Sequence, residues 1–263
     1  MTLTQDPPKI IIVPSPLIRA ETYFRLRDHL QKFGRAAVLE LPETGNYGSM
    51  KKVWYPEDYA RWISEYLKER HLKDLVLLGH SNSGPIVTQV ARMIPDRIQG
   101  LILADSIGAQ TQRPLRVLRG RLWDALLEFK FSLRALPHLM KNAIAHPRNF
   151  FLQVSLSHKQ MDEKLFSETN PHPVFLAWGA RDHTMPTVNL TTWQEQCGSC
   201  HLYVSPSGSH DWILTRPQEL AEALASWAVL KLVPLSHESS AQVSTKELSP
   251  GSALSPSLSE GPL

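Results

Sequence analysis

Short apolar runs alternate with stretches of helical period along most of this chain, and that alternation restricts the fold more than any other feature. Lys9-Ile-Ile-Ile-Val13 is β-branched and uncharged after its first residue, as a strand buried on both faces must be. Thr22 to Phe33 then places Phe24, Leu26, Leu30 and Phe33 at helical spacing, with Gly34 as a stop signal. Ala36 to Leu41 reads as a second strand. Pro56-Glu57-Asp58 opens a helix running to about Arg70, with proline in its first turn and acids at its positive end. Further strands are predicted at Asp74–Leu78, Ile98–Ala104, Pro173–Trp178 and His201–Ser205. Helices are predicted at Ser83–Met93, Pro186–Gln196 and Arg216–Lys231. Strands separated by helices imply right-handed crossovers and a mainly parallel, doubly wound α/β sheet covered on both faces.

Two segments depart from this rhythm. Residues 107–170 contain helix-like stretches (Leu115 to Leu136, Leu139 to Ile144) and no clear buried strand, so they read as a helical cap inserted into a body formed by 1–106 and 171–233. Residues 234–263 hold nine Ser, four Pro and no aromatic residue; with so little to bury, they read as a disordered tail. Two cysteines cannot staple 263 residues, so packing must hold the core. Cys197-Gly-Ser-Cys200 precedes a strand and has no second pair to complete a zinc site; reduced thiols are expected. Neither a bilayer-length apolar run nor a secretory pattern in Met1–Lys9 is visible, which predicts a soluble, cytoplasmic protein.

The chemistry concentrates where strands end. Leu75-Val-Leu-Leu-Gly79-His80-Ser81-Asn82-Ser83-Gly84 runs from a buried strand through a tight turn into a helix, which exposes Ser81 at the carboxyl edge of the sheet. A nucleophilic serine needs a base, and the base needs an orienting acid. Pro173-Val-Phe-Leu-Ala-Trp178-Gly179-Ala-Arg-Asp182 ends in a carboxylate just past a strand. Ser207-Gly208-Ser209-His210-Asp211 follows the next strand with a histidine. Asp105, also at a strand end, is a second candidate acid. His80 reads as a turn-packing residue, Asp211 as a local hydrogen-bonding group, and Ser83 as a small residue in the turn rather than a nucleophile.

Taken in order, Gly79-His-Ser-Asn-Ser-Gly84, Trp178-Gly-Ala-Arg-Asp182 and Gly208-Ser-His210 resemble the nucleophile elbow, acid turn and histidine turn of the α/β-hydrolase superfamily, over about residues 9–231. The resemblance implies Ser81 as nucleophile, His210 as general base and Asp182 as orienting acid. It also implies an oxyanion hole, a cap over the pocket, a small or medium acyl substrate, and no cofactor or metal. The Asn82 N–H supplies one oxyanion donor. The chain departs from the superfamily at the second: a His-Gly-x loop is replaced by Val13-Pro14-Ser15-Pro16-Leu17, which sets proline at the donor position and leaves the Leu17 N–H or the Ser15 hydroxyl as the substitute through a shifted loop. This departure motivates an alternative, a non-catalytic ligand-binding protein of the same fold.

The net charge of +3 belongs to the cap, which holds ten Lys and Arg against five Asp and Glu, while the body is balanced at 17 each. Such a distribution does not call for nucleic acid. The arginines of 113–121 and Lys51-Lys52 are expected on a solvated face. With Trp123, Phe129, Phe131, Phe150 and Phe151 interleaved, contact with a membrane surface is the lesser expectation.

Overall fold

The computed structural model describes residues 9–42, 53–108, 114–156, 172–197, 200–227 and 229–230. Six strands form one sheet: β1 (Ile10–Val13), β2 (Ala36–Val38), β3 (Leu75–His80), β4 (Ile98–Ala104), β5 (Val174–Gly179) and β6 (Cys200–Ser205). Their order is β2-β1-β3-β4-β5-β6, and every neighbouring pair is parallel. Successive residues of a strand point to opposite faces, so each apolar run serves two cores. Ile11, Val13, Leu75, Leu77, Leu101, Leu103, Leu176 and Trp178 pack with α2 (Pro56–Glu69), α3 (Gly84–Met93) and α7 (Val188–Cys197). Ile10, Ile12, Val76, Leu78, Ile102, Ala104, Phe175 and Ala177 pack on the other side with α1 (Phe24–Leu30), α8 (Trp212–Thr215) and α9 (Pro217–Leu224).

Strand order reverses between β1 and β3, and that switch point opens a crevice at the carboxyl edge. Among the described residues, three helices lie between β4 and β5 where the cap is expected: α4 (Pro114–Leu127), α5 (Phe129–Ala145) and α6 (Pro147–Leu156). The two helix-like stretches expected at Leu115–Leu136 and Leu139–Ile144 divide elsewhere: α5 runs through Pro137, and the chain turns at Glu128, where ψ is +37°. Three other elements are shorter or more divided than the pattern suggests. Extended pairing beyond Val38 shrinks to one bond, Leu39 N–H to the Ile12 carbonyl. Tight 3-10 turns at Ala20–Tyr23 and Gln31–Phe33 flank α1. The last helix stops at Leu224. The tail from 234 onward lies outside the described residues.

Candidate active site

β3 delivers Ser81 to the sheet edge with φ of +54°, a left-handed conformation that costs a residue with a Cβ of order 1–3 kcal/mol and persists only where neighbours enforce it. The turn is enforced by close approach. A Cβ on Gly79 would sit 2.7 Å from the Val87 side chain, and one on Gly84 would overlap Ser106 Oγ. Small residues are therefore required at 79 and 84. Ser83 anchors the turn instead of shaping it. Its hydroxyl accepts from the His80 N–H (2.8 Å) and donates to the Val13 carbonyl (2.7 Å), tying the turn to β1.

The three residues singled out from the strand ends meet in one line. Ser81 Oγ is 2.9 Å from His210 Nε2, and His210 Nδ1 is 2.9 Å from Asp182 Oδ2. A carboxylate can only accept, so Nδ1 carries the proton and Nε2 is the acceptor for the serine hydroxyl. The other Asp182 oxygen accepts the Met185 N–H at 2.6 Å, which fixes the carboxylate plane. All three side chains are buried. Burial opposes the imidazolium of His210, but the Asp182 carboxylate outweighs it and holds the histidine above its ordinary value. Burial likewise opposes ionised Asp182, and His210 outweighs it in turn, leaving that carboxyl below its ordinary value.

Asp105, the second candidate acid, lies beside Asp182 and does not partner His210. Its Oδ1 accepts the Gly179 N–H at 2.8 Å, and His210 takes its partner from Asp182. Burial and then the neighbouring Asp182 charge push Asp105 well above the carboxylate range. His80 does pack the turn, and it also braces the base. Its Nδ1 meets the Tyr23 hydroxyl at 3.0 Å, and its Nε2 reaches the His210 carbonyl at 3.0 Å. Burial, reinforced by His210, lowers its pKa to about 4, so a neutral ring donates from Nε2 and accepts at Nδ1.

The Pro14-Ser15-Pro16 loop takes a defined form. The Ile18 N–H closes a turn on the Ser15 carbonyl, with Pro16 and Leu17 at its centre, and proline suits the first central position. The Ser15 N–H is spent on the Tyr23 hydroxyl (3.1 Å). Among the described residues no protein acceptor takes the Leu17 N–H, and Leu17 and Asn82 both border the cavity in front of Ser81. That cavity holds about 540 Å³, with walls chiefly of Ile18, Ile107, Leu115, Leu118, Leu139 and Val154.

Residues of α4 and of the turn after it that give no catalytic signal in the sequence hold the site's loops. Asp124 of α4 is completely buried and accepts from the backbone N–H groups of His183 (3.1 Å) and Thr184 (2.8 Å), the Thr184 hydroxyl (2.7 Å) and His183 Nδ1 (3.0 Å). Arg121 is not simply solvated: it pairs with Asp211, which therefore bonds across to the cap rather than locally. Glu128 accepts the Asp211 N–H at 3.1 Å and the Thr215 hydroxyl at 3.2 Å. Asp124 and Glu128 are the only acids between 114 and 156, and their i, i+4 spacing is the one clue the sequence offers.

His80, His210 and Asp211 bring potential metal-ligating atoms within 4.8 Å of one another. Both nitrogens of each ring already have protein partners and Asp211 holds Arg121, so this cluster does not fit a metal ion. Cys197 and Cys200 are free, and burial raises both thiols above their ordinary value, which keeps them neutral.

No protein-family model and no curated protein matches the sequence. Solved structures do match. A bromoperoxidase from Bacillus anthracis superposes with a TM-score of 0.69 at 15% identity, over 83% of this chain and 91% of that one. An esterase from Exiguobacterium antarcticum gives 0.69 at 13% identity, over 84% and 92%. A thermophilic esterase from Thermogutta terrifontis gives 0.65 at 18% identity, over 86% and 92%. The chain has the α/β-hydrolase fold.

Proposed function

We propose that this chain is a cofactor-free serine hydrolase that cleaves esters or thioesters of small to medium apolar acyl groups. The observation that carries the reading is the buried Ser81–His210–Asp182 relay, with the serine held at positive φ on a strand-to-helix turn. His210 takes the Ser81 proton as Oγ attacks the substrate carbonyl, and Asp182 steadies the imidazolium that forms. The Asn82 and Leu17 N–H groups receive the developing oxyanion. His210 then protonates the leaving group, and a water activated by the same histidine releases the acid. Proteins named as esterases share the fold, and the apolar walls of the cavity suit an acyl chain.

A second reading, a ligand-binding protein without turnover, draws on the loop before Leu17: the Ser15 N–H is occupied and Pro16 has none, so one donor fewer is at hand. A p-nitrophenyl ester panel of increasing chain length separates the two. The hydrolase reading expects turnover that rises with chain length until the cavity is filled, and a loss of at least about 10⁴-fold in Ser81→Ala. Binding of the esters without turnover by the wild-type protein supports the second reading instead.

A further inference from the structure

The cap helices are turned opposite to the usual arrangement. α4 sets Leu115, Leu118, Leu122 and Leu126 along one stripe at i, i+3, i+7 and i+11, and all four are exposed, Leu115 by 68%. α5 sets Phe129, Leu133, Leu136, Met140 and Ile144 along another, also exposed, Ile144 by 75%. Val117 of α4 is buried in the core, and Phe131 and Leu139 of α5 pack partly buried against it, but the other side chains that these helices and α6 bury are polar: Asp124, Asn142, Asn149 and Gln153. Their hydrogen bonds fix the orientation. Asn149 accepts the Trp54 N–H (3.0 Å) and donates to the Tyr59 hydroxyl (2.9 Å), while Gln153 donates to the Trp54 carbonyl (2.8 Å). Asn142 donates to the Leu17 carbonyl (3.3 Å). Rotating the helices to hide their leucines would break these bonds and those of Asp124, so the apolar stripes are committed to the outside. A water-facing surface of this kind is a recognition surface.

Charge identifies the partner. Arg116, Arg119, Lys130, Arg134, Lys141 and Arg148 are all exposed on the same three helices, and the two acids of 114–156 are engaged with the body. Leucine and aromatic stripes flanked by cations alone match an anionic lipid–water interface. No helix among the described residues is long and apolar enough to cross a membrane, so the cap would lie on the surface. The cavity continues this face, because Leu115, Leu118 and Val154 are exposed and also line the space in front of Ser81.

We infer that the outer face of the cap docks on anionic lipid surfaces and passes acyl chains from them into the Ser81 cavity. Docking is independent of catalysis, whereas the passage of substrate rests on the hydrolase reading.

Docking is therefore tested with full-length Ser81→Ala protein, by sedimentation with vesicles of phosphatidylcholine alone or mixed with phosphatidylserine. The protein is expected to sediment with the mixed vesicles and to be released by salt. Leu126→Ser, Leu133→Ser and Ile144→Ser together, none of which lines the cavity, should lower the partition coefficient at least about 100-fold. In the Ser81 background the same triple variant should keep its turnover of a water-soluble short-chain ester. Arg116→Gln, Arg119→Gln and Lys141→Gln should each cost about 5-fold on the mixed vesicles only. Absence of vesicle binding, binding that the serine substitutions leave intact, or a vesicle-free dimer that they dissociate would each overturn the inference. Vesicle binding by a protein that hydrolyses no ester would leave docking standing and remove the hydrolase reading.

Discussion

Replacing Asp124 with alanine should damage the site from outside it. The carboxylate takes the N–H groups of His183 and Thr184, the two residues that follow Asp182, at 3.1 and 2.8 Å. Its removal leaves both donors without their acceptor, at about 1–3 kcal/mol each, or about 2–6 kcal/mol for the pair. For a protein of this size each kcal/mol moves Tm by about 2–4 °C, so Asp124→Ala should melt about 4–24 °C below wild type. Asp124→Asn keeps one accepting oxygen and should lose about half as much. Because Asp182 is covalently next to the freed segment, a displacement of about 1 Å there should lower kcat by about 100-fold. Circular dichroism melts and short-chain ester kinetics read both effects. An Asp124→Ala protein with unchanged Tm and unchanged kcat would refute the claim that the cap holds the acid loop.

Three further outcomes follow from the same geometry. Since Asp182 raises His210 above its ordinary value and the base must be neutral, kcat/KM should fall as pH drops through a midpoint above about 6.5; a pH–rate profile with a lower midpoint contradicts the pairing. Burial, then the Asp211 charge, raises Glu128 to about 6, so the folded state holds that proton more tightly than the unfolded chain. This contribution is fully present below about 4.5 and is lost as pH rises through about 6, a change of about 2 kcal/mol that Glu128→Gln should remove from denaturant titrations across that window. Burial and then the Asp182 charge favour the protonated form of Asp105, so Asp105→Asn should cost less in urea midpoint than Asp105→Ala, which strands the Gly179 N–H and should cost about 1–3 kcal/mol; equal losses in both would contradict that preference.

The body is legible in the sequence because its strands are buried on both faces, and continuous β-branched runs such as Ile10–Val13 allow few other readings. Ser81 and Asp182 are legible because each follows such a strand, and His210 because it follows the half-exposed edge strand β6, whose parallel pairing with β5 brings its loop to the same edge. The cap is half legible. Its helical period is plain, but periodicity reports which residues share a face and not whether that face is covered. Only the hydrogen bonds of Asp124, Asn142, Asn149 and Gln153 decide that the polar side turns inward. Arg121 and Asp211 illustrate the same limit, since an ion pair spanning 90 positions leaves no local trace. The division at Glu128 leaves no trace either, because α5 runs through Pro137 without a break.

Everything proposed for the site depends on Ser81 being a nucleophile activated by His210. Treating the wild-type protein and Ser81→Ala with a fluorophosphonate and mapping the adduct by peptide mass spectrometry tests this directly. One covalent adduct is expected, on Ser81, and it should be absent from Ser81→Ala. An unlabelled wild-type protein, or equal labelling of both proteins, would contradict the assignment.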